Sequence, residues 1–426
     1  MRRSRRRSAA ALLASAAVAL TGCGAVGRQA QVTSVTTPGP SASASGFASP
    51  AGTPSPSASP TPAVAPSPSA KALGPGEGSV TVMTYRGYAE YGGTSASYNW
   101  VGPFESATGC RVNLRFPQSD DQLDAMTEST AFDVVSAPPQ IGGRLIAERK
   151  VAPITTSLLS HYDEIPQWLR TQRAVTAGSR VYGVPYLWGW YTTLYDSGRT
   201  RPPGGGALYS GRGPVTLKDS PMTIADAALA LKRERPKLGI GDPFNLTRPQ
   251  LDAATALLGE RGGERSYWKR PIQALQRLAG GSVDAARTLP SQLDGLRKAG
   301  HPVKAVKGEP VTGWADSWMI SARAASPNCA YRWINWASSK ESQQQASVWN
   351  LLAPANPKAC AFEGEGRAAD GQARLAKGLC AAFRVTDDSF GKKVEFAVLP
   401  GSDCTDRDGE CTDYAEWAAR WRSLVE

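Results

Sequence analysis

An α/β fold with largely parallel sheets is predicted for the region from about residue 79 onward, on two observations. Short apolar runs of strand length alternate with stretches whose apolar residues recur at helical spacing, the pattern of strand–helix–strand units. Hydrophobic residues make up 41% of the 426-residue chain and charged residues 20%, enough apolar material to close a core. The length predicts two or three domains. No internal repeat is seen.

The strand candidates, in order, are Val80–Thr84, Val112–Phe116, Phe132–Ser136, Val181–Tyr186, Thr192–Tyr195 and Val303–Val306. Between them, Thr223-Ile224-Ala225-Asp226 reads as a capping-box start, with Ile224, Ala227, Ala228 and Leu231 at helical spacing. Lys232–Arg235 puts cations at that helix's C-terminal end, and Pro236 stops it. Ser326-Pro327 reads as an N-cap with proline at the first helical position, ahead of Ala330, Trp333, Ile334 and Ala337 on one face.

The N-terminal segment is different in kind. Met1–Ser8 is basic, and Ala9–Leu20 is a run of small and apolar residues too short for a bilayer that needs about 20. It suits the apolar region of a secretory signal. Leu20-Thr21-Gly22-Cys23 follows directly and resembles the lipobox of bacterial lipoproteins, in which the cysteine thiol carries the lipid. Residues 1–22 are therefore expected to be a lipoprotein signal peptide, and Cys23 a lipidated (palmitate-bearing) anchor at the extracytoplasmic face of the cell membrane. Two or more acyl chains, at about 0.8 kcal/mol per buried methylene, anchor stably. Residues 23–78, rich in Pro, Ser and Ala and nearly free of charge, are expected to form a disordered tether.

The formal net charge is +11, but five arginines in the first seven residues supply much of it, leaving +6. The remaining charges are scattered and mixed in sign, which excludes the basic stripe of a nucleic-acid binder. Beyond Cys23 the chain has Cys110, Cys329, Cys360, Cys380, Cys404 and Cys411. An even number in an exported chain predicts three disulfides, although six thiols allow 15 pairings. The close pair Cys404 and Cys411 comes first and Cys360 with Cys380 second, leaving Cys110 with Cys329. The cysteine spacing and the two histidines do not suit zinc, so neither metal nor cofactor is expected. The signatures of serine hydrolases, zinc peptidases, P-loop enzymes and dinucleotide-binding enzymes are missing, so no catalytic residue is assigned.

Aromatic residues interleaved with acids mark the candidate site. The clusters are Tyr85–Tyr91, with Tyr88, Glu90 and Tyr91; Tyr186–Tyr191, with Trp188 and Trp190; and Gly313–Ile320, with Trp314 and Asp316. If the third is extended, Trp314, Asp316 and Trp318 share a face, although Trp318 reads better as core. An indole beside a carboxylate suits an alkyl ammonium: the acid pairs with the charge and the ring supplies cation–π attraction.

From Val80 to about Cys411 the chain resembles the extracellular solute-binding proteins of ABC importers, and among them the spermidine/putrescine-binding group in its actinobacterial lipoprotein branch. The resemblance is carried by Tyr88-Ala89-Glu90-Tyr91, Phe104–Cys110, Phe132-Asp133-Val134-Val135, Val184–Gly189, Gly313–Ser317, Asn328–Trp333 and Ala353-Pro354-Ala355-Asn356. It implies a two-lobed periplasmic-binding-protein-like fold of type II, with hinge strands between lobes. Lobe 1 would comprise 79–188 and 312–426, and lobe 2 189–311. It further implies that Trp314 and Asp316 hold an amine and that Tyr91 is an aromatic cleft residue. Three stretches depart from the polyamine pattern: Ser136–Pro139, Val283–Thr288 and Val394–Val398 lack the expected aromatic residues. The solute is left open between a polyamine, another amine and a peptide-like compound.

The expected function is capture of a small, cationic, polyamine-like solute by hinge closure and its delivery to ABC permease subunits. The protein would act as a monomer, joined to the membrane through its lipid. The alternatives are the same fold reused as an envelope sensor or scaffold, and an envelope hydrolase.

Overall fold

A computed structural model describes residues 72–203, 206–363, 367–402 and 410–426. The expected signal segment, Cys23, most of the tether and Cys404 lie outside these residues.

Strands β1 (Ser79–Met83), β2 (Arg111–Arg115) and β3 (Val134–Ala137) pair in parallel, with β1 in the middle. Helices Val101–Thr108 and Asp120–Ser129 make the crossovers. A small hairpin, β4 (Thr176–Ala177) and β5 (Arg180–Val181), leads into the long β6 (Gly183–Trp190). There follow β7 (Thr192–Asp196), β8 (Val215–Lys218), β9 (Arg265–Trp268), β10 (Ala285–Thr288) and β11 (Val303–Ala305). The last three are β12 (Thr312–Ile320), β13 (Ala353–Pro354) and β14 (Glu395–Phe396). They form a seven-stranded sheet, β13-β6-β12-β3-β1-β2 with β14 beside β12, and a five-stranded sheet, β11-β7-β10-β8-β9. Strands β8, β9 and β10 were not anticipated. They are four residues long and carry polar residues (VTLK, RSYW, AART), too little pattern to register as alternation.

Two close crossings link the sheets. Strand β6 ends at Trp190 and β7 begins at Thr192, so Tyr191 alone separates them. The return runs from β11 to β12, and the Tyr191 N–H donates to the Thr312 carbonyl at 3.0 Å, tying the two crossings together. Glu309, in the return, accepts from the Thr193 N–H (2.6 Å) and hydroxyl (2.9 Å). Arg287 of β10 is almost wholly buried and reaches both Glu309 (3.2 Å) and Asp226 (2.9 Å).

Each sheet has its own core. Val80, Tyr186, Trp188, Trp318 and Trp333 belong to that of the larger sheet; Leu217, Ile224, Leu251, Trp417 and Trp421 to that of the smaller. The C-terminal helix Tyr414–Val425 thus buries its two tryptophans with the smaller sheet's helices, and the Trp421 Nε1–H donates to Asp219 at 2.8 Å. This differs from grouping all of 312–426 with the first lobe. The end of the expected tether differs too. Glu77 accepts from the backbone N–H groups of Asn328 and Cys329 at 2.9 Å, capping helix Pro327–Ala337 from outside. Ser326 makes no side-chain cap there; its N–H donates to Asp133 instead.

Two of the expected disulfides are present, Cys110–Cys329 and Cys360–Cys380, with Cα–Cα separations of 5.8 and 5.9 Å. Cys411 is also disulfide-bonded. The first closes a loop of 219 residues and fastens the end of helix Val101–Thr108 to the start of helix Pro327–Ala337. Replacing both cysteines by serine should lower unfolding stability by about 2–5 kcal/mol. Denaturant titration under oxidising conditions checks this, and an unchanged midpoint would show that the bond contributes nothing.

Candidate functional site

Strand β12 carries the two residues on which the site is built. Trp314 stands across from Gly189 in the β6–β12 register, and a Cβ at position 189 would come within 2.6 Å of its indole. The absent side chain lets the indole lie against β6. Its other neighbour is Tyr191, stacked on it at 4.8 Å between centroids and 21° between planes. Two residues along the strand, Asp316 is only 5% exposed and accepts a 2.5 Å hydrogen bond from the Tyr88 hydroxyl.

These groups face a cavity of about 260 Å³ bounded by both sheets' loops. That is below the roughly 300–1,000 Å³ of drug-sized pockets, so the cavity suits a small solute. The larger sheet contributes Tyr85, Tyr88, Asp120 and Gln140; the smaller contributes Lys218, Ser220 and Thr223. Asp120 opens the helix after β2 and lies at the exposed mouth, held by the Tyr85 hydroxyl (2.6 Å) and the Gln140 amide (2.9 Å). Tyr88 is set by the turn before it: Gly87 has a φ of +92°, in the left-handed region, and its N–H donates to Glu90 at 3.0 Å.

Burial pushes the Asp316 carboxyl up to about 6, although the Tyr88 hydrogen bond favours its charged form. Burial and the adjacent Asp316 charge hold the Tyr88 phenol well above its ordinary value. Lys218 shows the opposite balance. Burial disfavours its charge, but the Tyr191 phenol and, at longer range, Asp120 and Asp316 outweigh that and hold the ammonium above the usual lysine value. It is charged at neutral pH.

Of the residues expected in the site, Tyr88, Trp314 and Asp316 line this cavity and four do not. Glu90 is buried beneath the Tyr88 loop; its carboxylate holds Gly87 and its carbonyl accepts from Trp100 and Val101. Tyr91 is 55% exposed and pairs with Asn99 outside the cleft. Trp188 packs between Trp168 and Phe396, donating to the Pro354 carbonyl at 3.0 Å. Trp190 packs on Phe390 and donates to the Phe383 carbonyl at 3.1 Å. Each indole has found an apolar surface and an acceptor in the interior, which removes it from the cleft. Trp318 is core, edge-on to Trp333.

The capping box expected at Thr223 does not form. The Thr223 hydroxyl donates to the Lys218 carbonyl, and Asp226 turns inward to Arg287 and the Thr312 hydroxyl. Tyr85, Asp120, Tyr191 and Lys218 are cavity residues that sequence reasoning did not assign. Tyr85 and Tyr191 lay inside the aromatic clusters already noted. Lys218 was hidden because it ends one of the strands not recognised.

Asp316 generates a test with a definite sign. Its folded-state value lies above the usual 3.8, so between about pH 4 and pH 6 the native protein keeps a proton that the unfolded chain releases. Stability from this group is therefore full below about pH 4 and falls as pH rises to about 6, by roughly 3 kcal/mol. Asp316→Asn, which can still accept from Tyr88, should flatten that part of the profile. Equal pH slopes for both proteins in urea titrations would show that Asp316 does not titrate there.

Solved structures that share this architecture include three transport-related binding proteins. A spermidine/putrescine ABC transporter substrate-binding protein from Streptococcus pneumoniae is 14% identical, with a TM-score of 0.59 over 82% of this chain and 99% of that one. A putative spermidine/putrescine ABC transporter protein from Listeria monocytogenes is also 14% identical, with a TM-score of 0.61 over 82% and 99%. A binding protein from Agrobacterium tumefaciens R10, solved with agropinic acid, is 17% identical, with a TM-score of 0.54 over 82% and 99%. The fold is accordingly the two-lobed periplasmic-binding-protein type. Residues 99–366 match the family model described as bacterial extracellular solute-binding protein, and with more than half of its length matched this chain belongs to that family.

Proposed function

We propose that this protein is the lipid-anchored, extracytoplasmic solute-binding component of an ABC importer, and that it captures a small cationic amine as a polyamine ammonium would be held. The observation that carries the reading is the buried Asp316 carboxylate beside the Trp314 indole, in a cavity of a size for a small solute. A carboxylate taken out of water with one hydroxyl partner has acceptor sites left over, and an ammonium satisfies them. Capture is non-catalytic: binding and release do the work.

The lobes we assign meet at three crossings, residue 191, residues 306–311 and the passage after β14, with the C-terminal helix counted in the second lobe. A solute touching Asp316 and Tyr88 on one side and the β8 end on the other favours whichever arrangement brings both within reach. Hinge closure is thereby coupled to binding, and the closed form is what permease subunits would recognise. Support for the anchor comes from the N-terminal residues alone: a basic start, a short apolar run and Leu20-Thr21-Gly22-Cys23.

Two outcomes follow. Asp316→Asn should weaken amine binding about 10- to 100-fold by calorimetry at about pH 8, the loss of one charge-assisted hydrogen bond, without lowering the melting temperature, since asparagine buries no charge there. Equal affinity for both proteins would remove Asp316 from the site. Cys23→Ala should move the protein from washed membranes into the soluble fraction; unchanged membrane retention would refute the anchor.

A further inference from the structure

The aromatic pair suited to an alkyl ammonium already holds one. Lys218, the last residue of β8, places its Nζ 5.5 Å from the Trp314 ring centre and 5.6 Å from that of Tyr191. These are the two stacked rings of the cavity wall, and both distances lie within the roughly 6 Å reach of a cation–π contact. Among the described residues its ammonium is in no ion pair: Asp120 and Asp316 act on it only through space. A second cation brought to these rings would meet like charge in a low-dielectric cavity. The rings are therefore closed to the solute's ammonium.

The polar groups of the cavity divide accordingly. The larger sheet's side brings the carboxylates of Asp316 and Asp120, each fixed by a tyrosine hydroxyl and each with acceptor capacity to spare. The smaller sheet's side brings the Lys218 ammonium, the Ser220 hydroxyl and the first turn of the twelve-residue helix Thr223–Glu234. The one acid in that turn, Asp226, is already neutralised by Arg287 and hydrogen-bonded to Thr312, so it does not cancel Lys218. The larger sheet's acids favour a cation and the smaller sheet's lysine an anion.

We infer that Lys218 makes the smaller sheet's side of the cavity carboxylate-binding, so that the captured solute is zwitterionic, an amino acid with its ammonium at Asp316 and Asp120 and its carboxylate at Lys218. The inference rests on the proposed capture of an amine and narrows it: a diamine satisfies the acids but leaves its far ammonium facing Lys218.

Calorimetric titration of the full-length protein with two matched series tests this, α,ω-diamines and ω-amino acids of three to six carbons. The expected result is that the best ω-amino acid binds at least 10-fold more tightly than the diamine of equal length. Lys218→Met should abolish that preference or reverse it, and Lys218→Arg should keep it. Tighter binding of the diamine by the unaltered protein, or an unchanged preference in folded Lys218→Met, overturns the inference while leaving amine capture intact. Absence of binding by both series overturns amine capture and the inference together. Should Lys218→Met not fold, the preference of the unaltered protein decides alone.

Discussion

The arrangement of the cleft depends on a guanidinium buried between two carboxylates. Arg287 rises from the middle of the smaller sheet and is held by Asp226 from a helix and Glu309 from the return crossing. Its charge is maintained against burial by those two acids. Such a triad is expensive to desolvate and gives little net stability, but losing one partner strands a buried charge at about 3–5 kcal/mol. Its value is geometric. Glu309 also takes the Thr193 N–H and Asp226 the Thr312 hydroxyl, so the β6–β7 and β11–β12 crossings are fixed to one cation. Trp314 and Asp316 follow Thr312 directly on β12 and inherit their position from it.

Helix Thr223–Glu234 begins without a side-chain cap because its cap position falls on Met222, which offers no acceptor, while Asp226 in the first turn faces inward to neutralise Arg287. Thr223 is likewise diverted to the Lys218 carbonyl, which fixes the end of β8 and hence the root of the lysine that reaches the aromatic wall.

Much of the fold was legible because burial imposes period. The parallel strands β1 to β3, the long β6 and helix Pro327–Ala337 all carry apolar residues at the spacing their faces require. Cys360–Cys380 was legible from cysteine number and proximity in the chain, whereas Cys110–Cys329 was reached only as the pair left over. The short strands of the smaller sheet were not, since four residues with two polar side chains leave no alternation to count. Within the site, Trp314 with Asp316 was readable as a pair because an acid between tryptophans on an extended segment is chemically unusual. Trp188 and Trp190 have the same look in sequence, yet both go to the core. Nothing local separates an indole that finds a carbonyl in the interior from one that lies over Gly189.

By itself the sequence determined the class of fold, the exported character expected of the N-terminal segment and the family, because composition, periodicity and motif order act locally along the chain. Tertiary structure alone decided which aromatic residues face the cavity and which acids remain available. It also decided that a lysine from the second sheet occupies the ring pair. These are pairings between segments about a hundred residues apart or more, Lys218 with Trp314 and Tyr88 with Asp316. Their physical cause is the meeting of two sheets, for which no single stretch of chain carries a signal.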